Sequence, residues 1–275
     1  MTGNAEHASP ARAEGASPAR PEGASPARAE RAAAALLEAR ATRRFLPALP
    51  EGTAPRSEAE AYAIQDLVAA RLGPVAGWKV GAQTPASEPF ASPLHAATIR
   101  LDDTPWAADR FQVVGVEAEI AYLLGRDLPP REAPYTDAEV LDAVASLHPA
   151  IEIADTRHEG WGRADRLSHL ADQGGHGALI LGPAVEDWRR IVPVAQPVRV
   201  TVNGVVIHEG VGGNSAGDPV RMLRWLADGG AARLGGLRRG QVVTTGSMSG
   251  CILSAVPARI RAEFAGMGAV ETSVA

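Results

Sequence analysis

The hydrophobic pattern is most pointed in VGVEAEIAYLL (114–124), where only Glu117 and Glu119 break an otherwise apolar run. In a strand, both acids fall on one face, with Val116, Ala118, Ile120 and Tyr122 on the other. Ala121 and Leu123 share the face of the acids, which suits a partly buried strand. Elsewhere, good helix formers fill RAAAALLEARATRR (31–44). Ser57 with Glu60 forms a capping-box signal for a helix that runs to Gly73-Pro74. VAGWKVG (75–81) reads as a strand. Thr136 and Glu139 cap a third helix, expected to continue through DAEVLDAVASL to Pro149, and AIEIAD (150–155) follows as a strand. VRVTVNGVVIHEG (198–210) predicts a hairpin turned at Asn203-Gly204. Asp218-Pro219 starts a further helix, which carries RMLRWLADGG to a glycine stop. GQVVTTGSMSG (240–250) is a buried strand running into a loop of small residues, and ARIRAEF (258–264) is a strand. Helices and strands do not alternate regularly, which disfavours a doubly wound parallel sheet. The pattern predicts an α+β fold, a helical N-terminal layer followed by a β-rich mixed body.

Ahead of that body, residues 8–31 repeat an eight-residue unit three times, ASPARAEG ASPARPEG ASPARAER. The unit holds no branched aliphatic or aromatic side chain, so residues 1–31 are expected to form a disordered low-complexity tail. Composition narrows the function classes. A net charge of −5 without a basic block, and 4% aromatic residues, argue against nucleic acid as a partner. No window approaches the ~18–20 apolar residues of a membrane span, and no secretory signal is legible. Cys251 is the single cysteine, which fits a reducing, cytoplasmic setting.

The carboxylates need a reason. Two like charges side by side repel, and burying them is costly without a cation. A solvated strand edge would explain Glu117 and Glu119 alone, but Glu152 adds a third acid, between Ile151 and Ile153. Three carboxylates in apolar strands are a set of hard oxygen ligands, suited to Mg²⁺ or Mn²⁺ rather than zinc. Thr245, Gly246 and Ser247 lie where a buried strand opens into a loop, able to offer N–H and hydroxyl groups to a substrate carboxylate. Arg157 could bind a ligand carboxylate or form an internal ion pair. His169 and His176, seven apart, match no metal spacing, and only His176 is singled out for testing. Cys251 has no histidine partner in sequence and reads as a small core residue.

AYAIQ (61–65), GWKVG (77–81), GVEAEIAYLLGRDLP (115–129), HPAIEIADTR (148–157), ADQGGHGALILG (171–182), DPVRMLRWLA (218–227) and the closing TTGS…EFAGMGAV resemble, in order, the hydratase/decarboxylase branch of the fumarylacetoacetate hydrolase superfamily. The resemblance spans residues 32–275, a single catalytic domain, and implies that superfamily's β-rich C-terminal fold and a homo-oligomer. It implies that Glu117, Glu119 and Glu152 are metal ligands, and that Lys79 and Asp172 are catalytic. Lys79 would shuttle a proton with a lowered pKa, or hold a substrate oxygen. Asp172 is followed by Gln173 where the family usually has Asn. The implied substrate is a small α-keto or enol carboxylate. The implied reaction adds water to a 2-hydroxy-2,4-dienoate through a metal-stabilised dienolate, as in aromatic meta-cleavage catabolism. Decarboxylation of a 2-oxo-3-enedioate, or keto-acid binding with little turnover, are the alternatives. After GWKVG this chain reads AQTPASEPFASPLHAATIRLDD and lacks the family's Phe-Gly segment, which leaves the substrate open.

Overall fold

Helix α1 (Pro26–Thr42) opens residues 26–275, the part of the chain that the computed structural model describes. It buries Ala29, Ala32, Ala33, Leu36 and Ala39, a stripe at helical spacing, against α2 (Glu58–Leu72). Residues 26–31, assigned above to the tail, are therefore helical. Ala29 is buried, and Arg28 Nε donates to Gly52 O at 2.7 Å, so local contacts outweigh the repeat's composition there. The rest of the tail assignment falls on residues 1–25, outside the described residues. At the start of α2, Ser57 Oγ accepts from Glu60 N at 3.2 Å, while the Glu60 carboxylate turns to Arg56 N, so half of the capping box forms. Buried Gln65 then ties the helical layer to the body, donating to Ser92 Oγ at 2.8 Å and Leu170 O at 2.7 Å.

The body holds strands β1 (Val75–Gly81), β2 (Phe90–His95), β3 (Ile99–Arg100), β4 (Val114–Leu124), β5 (Val144–Ala154) and β6 (His176–Leu181), then β7 (Pro197–Val202), β8 (Val205–Val211), β9 (Val242–Thr244), β10 (Ile252–Ser254), β11 (Ala258–Phe264) and β12 (Gly268–Val274). Short helices α3 (Asp137–Asp142), α4 (Arg166–Ala171) and α5 (Pro219–Trp225) interrupt them. Eight strands make one mixed sheet in the order β2-β1-β9-β4-β5-β6-β3, with β10 added to β4. Four make a second, β12-β11-β7-β8. Among the described residues, no helix is long and apolar enough to cross a membrane.

Several local expectations hold. Asn203 (φ 51°) and Gly204 (φ 82°) both take positive φ, as a type I′ hairpin turn requires. Asp218 caps α5 by accepting from Val220 N at 2.9 Å. One expectation fails. The helix after Thr136 ends at Asp142, and the sequence from Val144 to Leu147, expected to be helical, begins β5. Pairing with β4 and β6 buries every residue of β5 except Ala145, which overrides a helix propensity worth only tenths of a kcal/mol per residue. Pro149 is accommodated inside this strand because Gly182 O, which its missing N–H could have met, accepts from His148 Nδ1 at 2.9 Å.

The two faces of β4 part as the alternation predicts. Val116, Ala118, Ile120 and Tyr122 enter the main core, which also takes Val198, Val200, Ile260, Ala262 and Phe264 of the second sheet. On the opposite face Ala121 joins a small cluster with Leu94, Ala150, Leu179, Leu181 and Val242. Glu117 and Glu119 share this second face.

Candidate metal centre and cleft

Register brings the acids together. Glu117 lies directly across from Glu152 in the β4–β5 pair, and cross-strand partners point to the same side. Glu119 follows two residues on. One carboxylate oxygen from each of the three lies within 4.8 Å of the others. Lys79 reaches them from β1, whose register runs through β9 to β4 by Lys79–Thr244–Ala121. Its Nζ is 2.6 Å from Glu152 Oε1 and 3.1 Å from Gly174 O. Gly174 presents that carbonyl from a turn with φ 57°, a conformation glycine adopts at little cost. His176, the first residue of β6, places Nδ1 3.0 Å from the same Glu152 oxygen and Nε2 2.9 Å from Thr98 Oγ1. Gly246 N donates to Glu119 Oε2 at 3.3 Å.

Charge and burial set the electrostatics. Burial pushes Glu117 up to about 7, against the pull of Lys79. Burial, then Glu152 and Glu117, holds Glu119 well above the usual carboxylate range. Burial acts on Glu152 in the same direction, but Lys79 and His176 outweigh it and bring that acid down to about 2. Burial also disfavours the Lys79 ammonium, yet Glu152, Glu117 and Glu119 overcome this and raise its pKa. The lowered lysine pKa expected from an apolar strand is thus reversed, because the strand faces three acids.

Three carboxylates face one ammonium, and Glu152 Oε2, fully buried, has no hydrogen-bond partner among the described residues. An orphaned buried carboxylate oxygen beside two acids that resist ionisation is a site short of positive charge. The all-oxygen donor set fits a hard divalent cation.

A cleft of about 280 Å³ opens over this cluster. Lys79, Glu117 and Glu119 line it, with Gly246 and Ser247 from the loop after β9, and Phe90, Trp161, His169 and Ser215. Thr245 is buried instead, its carbonyl accepting from Asn214 Nδ2 at 2.8 Å. Asp172 and Arg157 do not line the cleft. They form an internal ion pair, in which Arg157 N meets Asp172 Oδ2 at 3.0 Å and Arg157 Nε meets Oδ1 at 2.5 Å. The guanidinium also donates to Asp172 O and His176 O, so it anchors the turn that precedes β6. Neither residue has the direct access that catalysis or substrate binding was expected to need. Cys251 carries a thiol pushed up to about 12, by burial and then by Glu117, which suits an inert packing residue.

His169, Trp161 and Ser215 were not foreseen in the cleft, and the His176–Glu152 contact was not derivable from spacing. No short motif marks them; α4 and the turn after it return the chain across β1. Asp165 caps α4, accepting from Leu167 N and Ser168 N at 3.0 Å each, and so orients the helix that carries His169.

Known proteins share this sequence and shape. The chain is 31% identical to a 2-keto-4-pentenoate hydratase of Paraburkholderia phymatum over 250 residues, 86% of this chain and 94% of that protein. It is 32% identical to a protein of the same name from Burkholderia vietnamiensis, with the same coverage. In three dimensions it resembles 4-oxalocrotonate decarboxylase from Pseudomonas putida, solved with magnesium and adipate, at a TM-score of 0.81 and 20% identity, over 91% of this chain and 98% of that one. Residues 72–275 match the Fumarylacetoacetate (FAA) hydrolase C-terminal family, and with these likenesses the chain belongs to that family.

Proposed function

We propose that the chain is a divalent-metal-dependent hydro-lyase that adds water to a 2-hydroxy-2,4-dienoate; its relatives are named 2-keto-4-pentenoate hydratase and 2-hydroxypent-2,4-dienoate hydratase. The carrying observation is the make-up of the cleft: three glutamates converge on Lys79, and no second charged base lines the wall among the described residues. A 2-oxo-enedioate would bring a distal carboxylate that Phe90, Trp161 and Val80 leave unmet, which favours hydration over decarboxylation.

In this reading Glu117, Glu119 and Glu152 would hold Mg²⁺ or Mn²⁺. When bound, the ion would polarise the substrate's 2-oxygen and stabilise negative charge developing there. Lys79 keeps its proton at Nζ, because the acids favour the ammonium, and so acts as a donor to a substrate oxygen. Gly246 N–H and the Ser247 hydroxyl would exchange their bonds to Glu119 and Gly250 O for the substrate carboxylate. Phe90 and Trp161 cover the diene and exclude bulk water. His169 is held neutral, down to about 4, by burial and then by Lys79, so its imidazole can accept a hydrogen bond from the incoming water.

The test is incubation with Mg²⁺ and 2-hydroxypenta-2,4-dienoate. Loss of the conjugated absorbance, with a product heavier by one water, is expected, and Glu117→Gln should lower kcat/KM by at least about 100-fold, the upper end of what losing an outer contact costs at a metal site. Faster CO₂ release from a 2-oxo-3-enedioate would replace this reading with decarboxylation. Oxalate binding with Mg²⁺ but no turnover of either substrate would replace it with keto-acid binding.

A further inference from the structure

Behind His176 lies a second cavity, of about 200 Å³, that the proposed reaction does not use. His176 links the two regions: Nδ1 meets Glu152, while Nε2 meets the hydroxyl of Thr98, a residue of the second cavity whose hydroxyl also donates to His95 O at 2.8 Å. Three guanidinium-bearing residues reach that wall, Arg40, Arg43 and Arg110.

None of the three has a carboxylate of its own. Arg40 is largely buried, yet its partners are Gln173 Oε1 at 3.3 Å and Asp172 Oδ1 at a long 3.9 Å. Both Asp172 oxygens already accept from Arg157. Arg110 lies over the Trp106 ring, 4.6 Å from its centre, and makes one long bond, 3.4 Å, to Ala97 O. Arg43 makes no hydrogen bond or ion pair among the described residues. It sits just past the end of α1 at φ 59°, the left-handed position where helices usually place glycine. Asp155 also lines the cavity, but its Oδ1 accepts from Gln112 N, Val113 N and Thr156 N, and its Oδ2 faces Arg157 at 3.5 Å. Three guanidiniums thus share this wall with one carboxylate, Asp155, whose oxygens are already engaged. Burial, then the nearby Arg157, brings Arg40 down to about 9, against the opposing pull of Asp172 and Asp155.

We propose that this cavity is a binding site for a small doubly charged oxyanion, inorganic phosphate or the phosphate of a monoester, held by Arg40, Arg43 and Arg110. A monocarboxylate brings one charge and two acceptor oxygens, too few for three guanidiniums. A phosphate brings two charges and at least three oxygens, and guanidinium forks match its geometry. The inference stands apart from the hydratase reading, since it uses neither the glutamates nor Lys79.

The experiment is calorimetric titration of the full chain, in phosphate-, sulfate- and magnesium-free buffer, with inorganic phosphate and separately with glycerol phosphate. Saturable binding of one anion per chain is expected. Arg43→Gln and Arg110→Gln should each weaken it by about tenfold or more, the scale of one hydrogen bond to a charged group. Glu117→Gln should leave it unchanged. Circular dichroism of each variant checks that it is folded, and exposed Arg43 is the safer of the two substitutions. Equal affinity for both probes assigns the site to the free anion, and tighter binding of the ester assigns it to a phosphorylated metabolite. No saturable heat with either probe overturns the proposal, as does binding that survives both arginine substitutions. Loss of binding in Glu117→Gln overturns it too, by placing the anion in the cleft.

Discussion

Glu152 shows how one residue is set by its surroundings. Its Oε1 takes Lys79 and His176, while Oε2 stays without a partner. Glu152→Gln should lower Mg²⁺ affinity by more than about 100-fold, since outer contacts alone are worth 10–100-fold at metal sites. Calorimetry with Mg²⁺ checks this, and an unchanged affinity would remove Glu152 from the ligand set. Glu117 predicts a pH effect. Its pKa rises from 4.5 to about 7 on folding, so the folded metal-free chain keeps a proton that the unfolded chain has lost. Its contribution to stability is full below 4.5 and is lost as pH climbs through about 7. Glu152, brought down to about 2, does the reverse and loses its contribution as pH falls below 4.5. The proposed metal site needs Glu117 ionised, so the gain in Tm on adding Mg²⁺ should grow from about pH 5.5 to about pH 8. Thermal melts across that window, with and without the ion, decide the matter; a gain that shrinks with pH contradicts it. Asp172 predicts a structural effect. Asp172→Asn removes the nearer of the two carboxylates paired with buried Arg157, leaving Asp155 at 3.5 Å, and should cost up to about 3–5 kcal/mol. Urea unfolding measures that loss, and an Asp172→Asn protein with full stability but no activity would restore the catalytic role.

At the scale of elements, short-range rules were reliable where the chain turns or a helix starts. Asn203-Gly204 and Asp218-Pro219 behave as read because their conformations depend on the residues themselves. The segment after Asp142 was misread because its strand state depends on β4 and β6, which lie far off in sequence. Strands β2, β3, β6, β10 and β12 went unannounced for the same reason; several are short, and their apolar runs carry no distinctive period. One close approach between elements is testable. A Cβ on Gly77 would come within 2.5 Å of Val242 O and 2.7 Å of Val242 Cγ2, where β1 lies parallel to β9. Gly77→Ala should therefore cost about 1–3 kcal/mol by overpacking, read as a lower urea midpoint. A change within about 0.5 kcal/mol would mean that the two strands separate freely.

Across the whole molecule, the two sheets bury the apolar face of β4 and leave its acidic face to the cleft. The helical layer joins the sheet through Gln65 and the apolar cluster around Leu36. Leu36→Ala should cost about 2–5 kcal/mol by opening a cavity in that cluster, and thermal melts would show it. If the layer were only loosely docked, the loss would be negligible.

The sequence by itself determined which side chains share a face in VGVEAEIAYLL, where the hairpin turns, and that three acids sit in apolar strands. These follow from bond geometry and from the cost of burying charge. Tertiary structure alone decided that Lys79 meets Glu152, that His176 stands behind it, and that Arg157 and Asp172 satisfy each other away from the cleft. Those outcomes rest on register between strands distant in sequence, where a slip of one residue would turn every side chain to the opposite face.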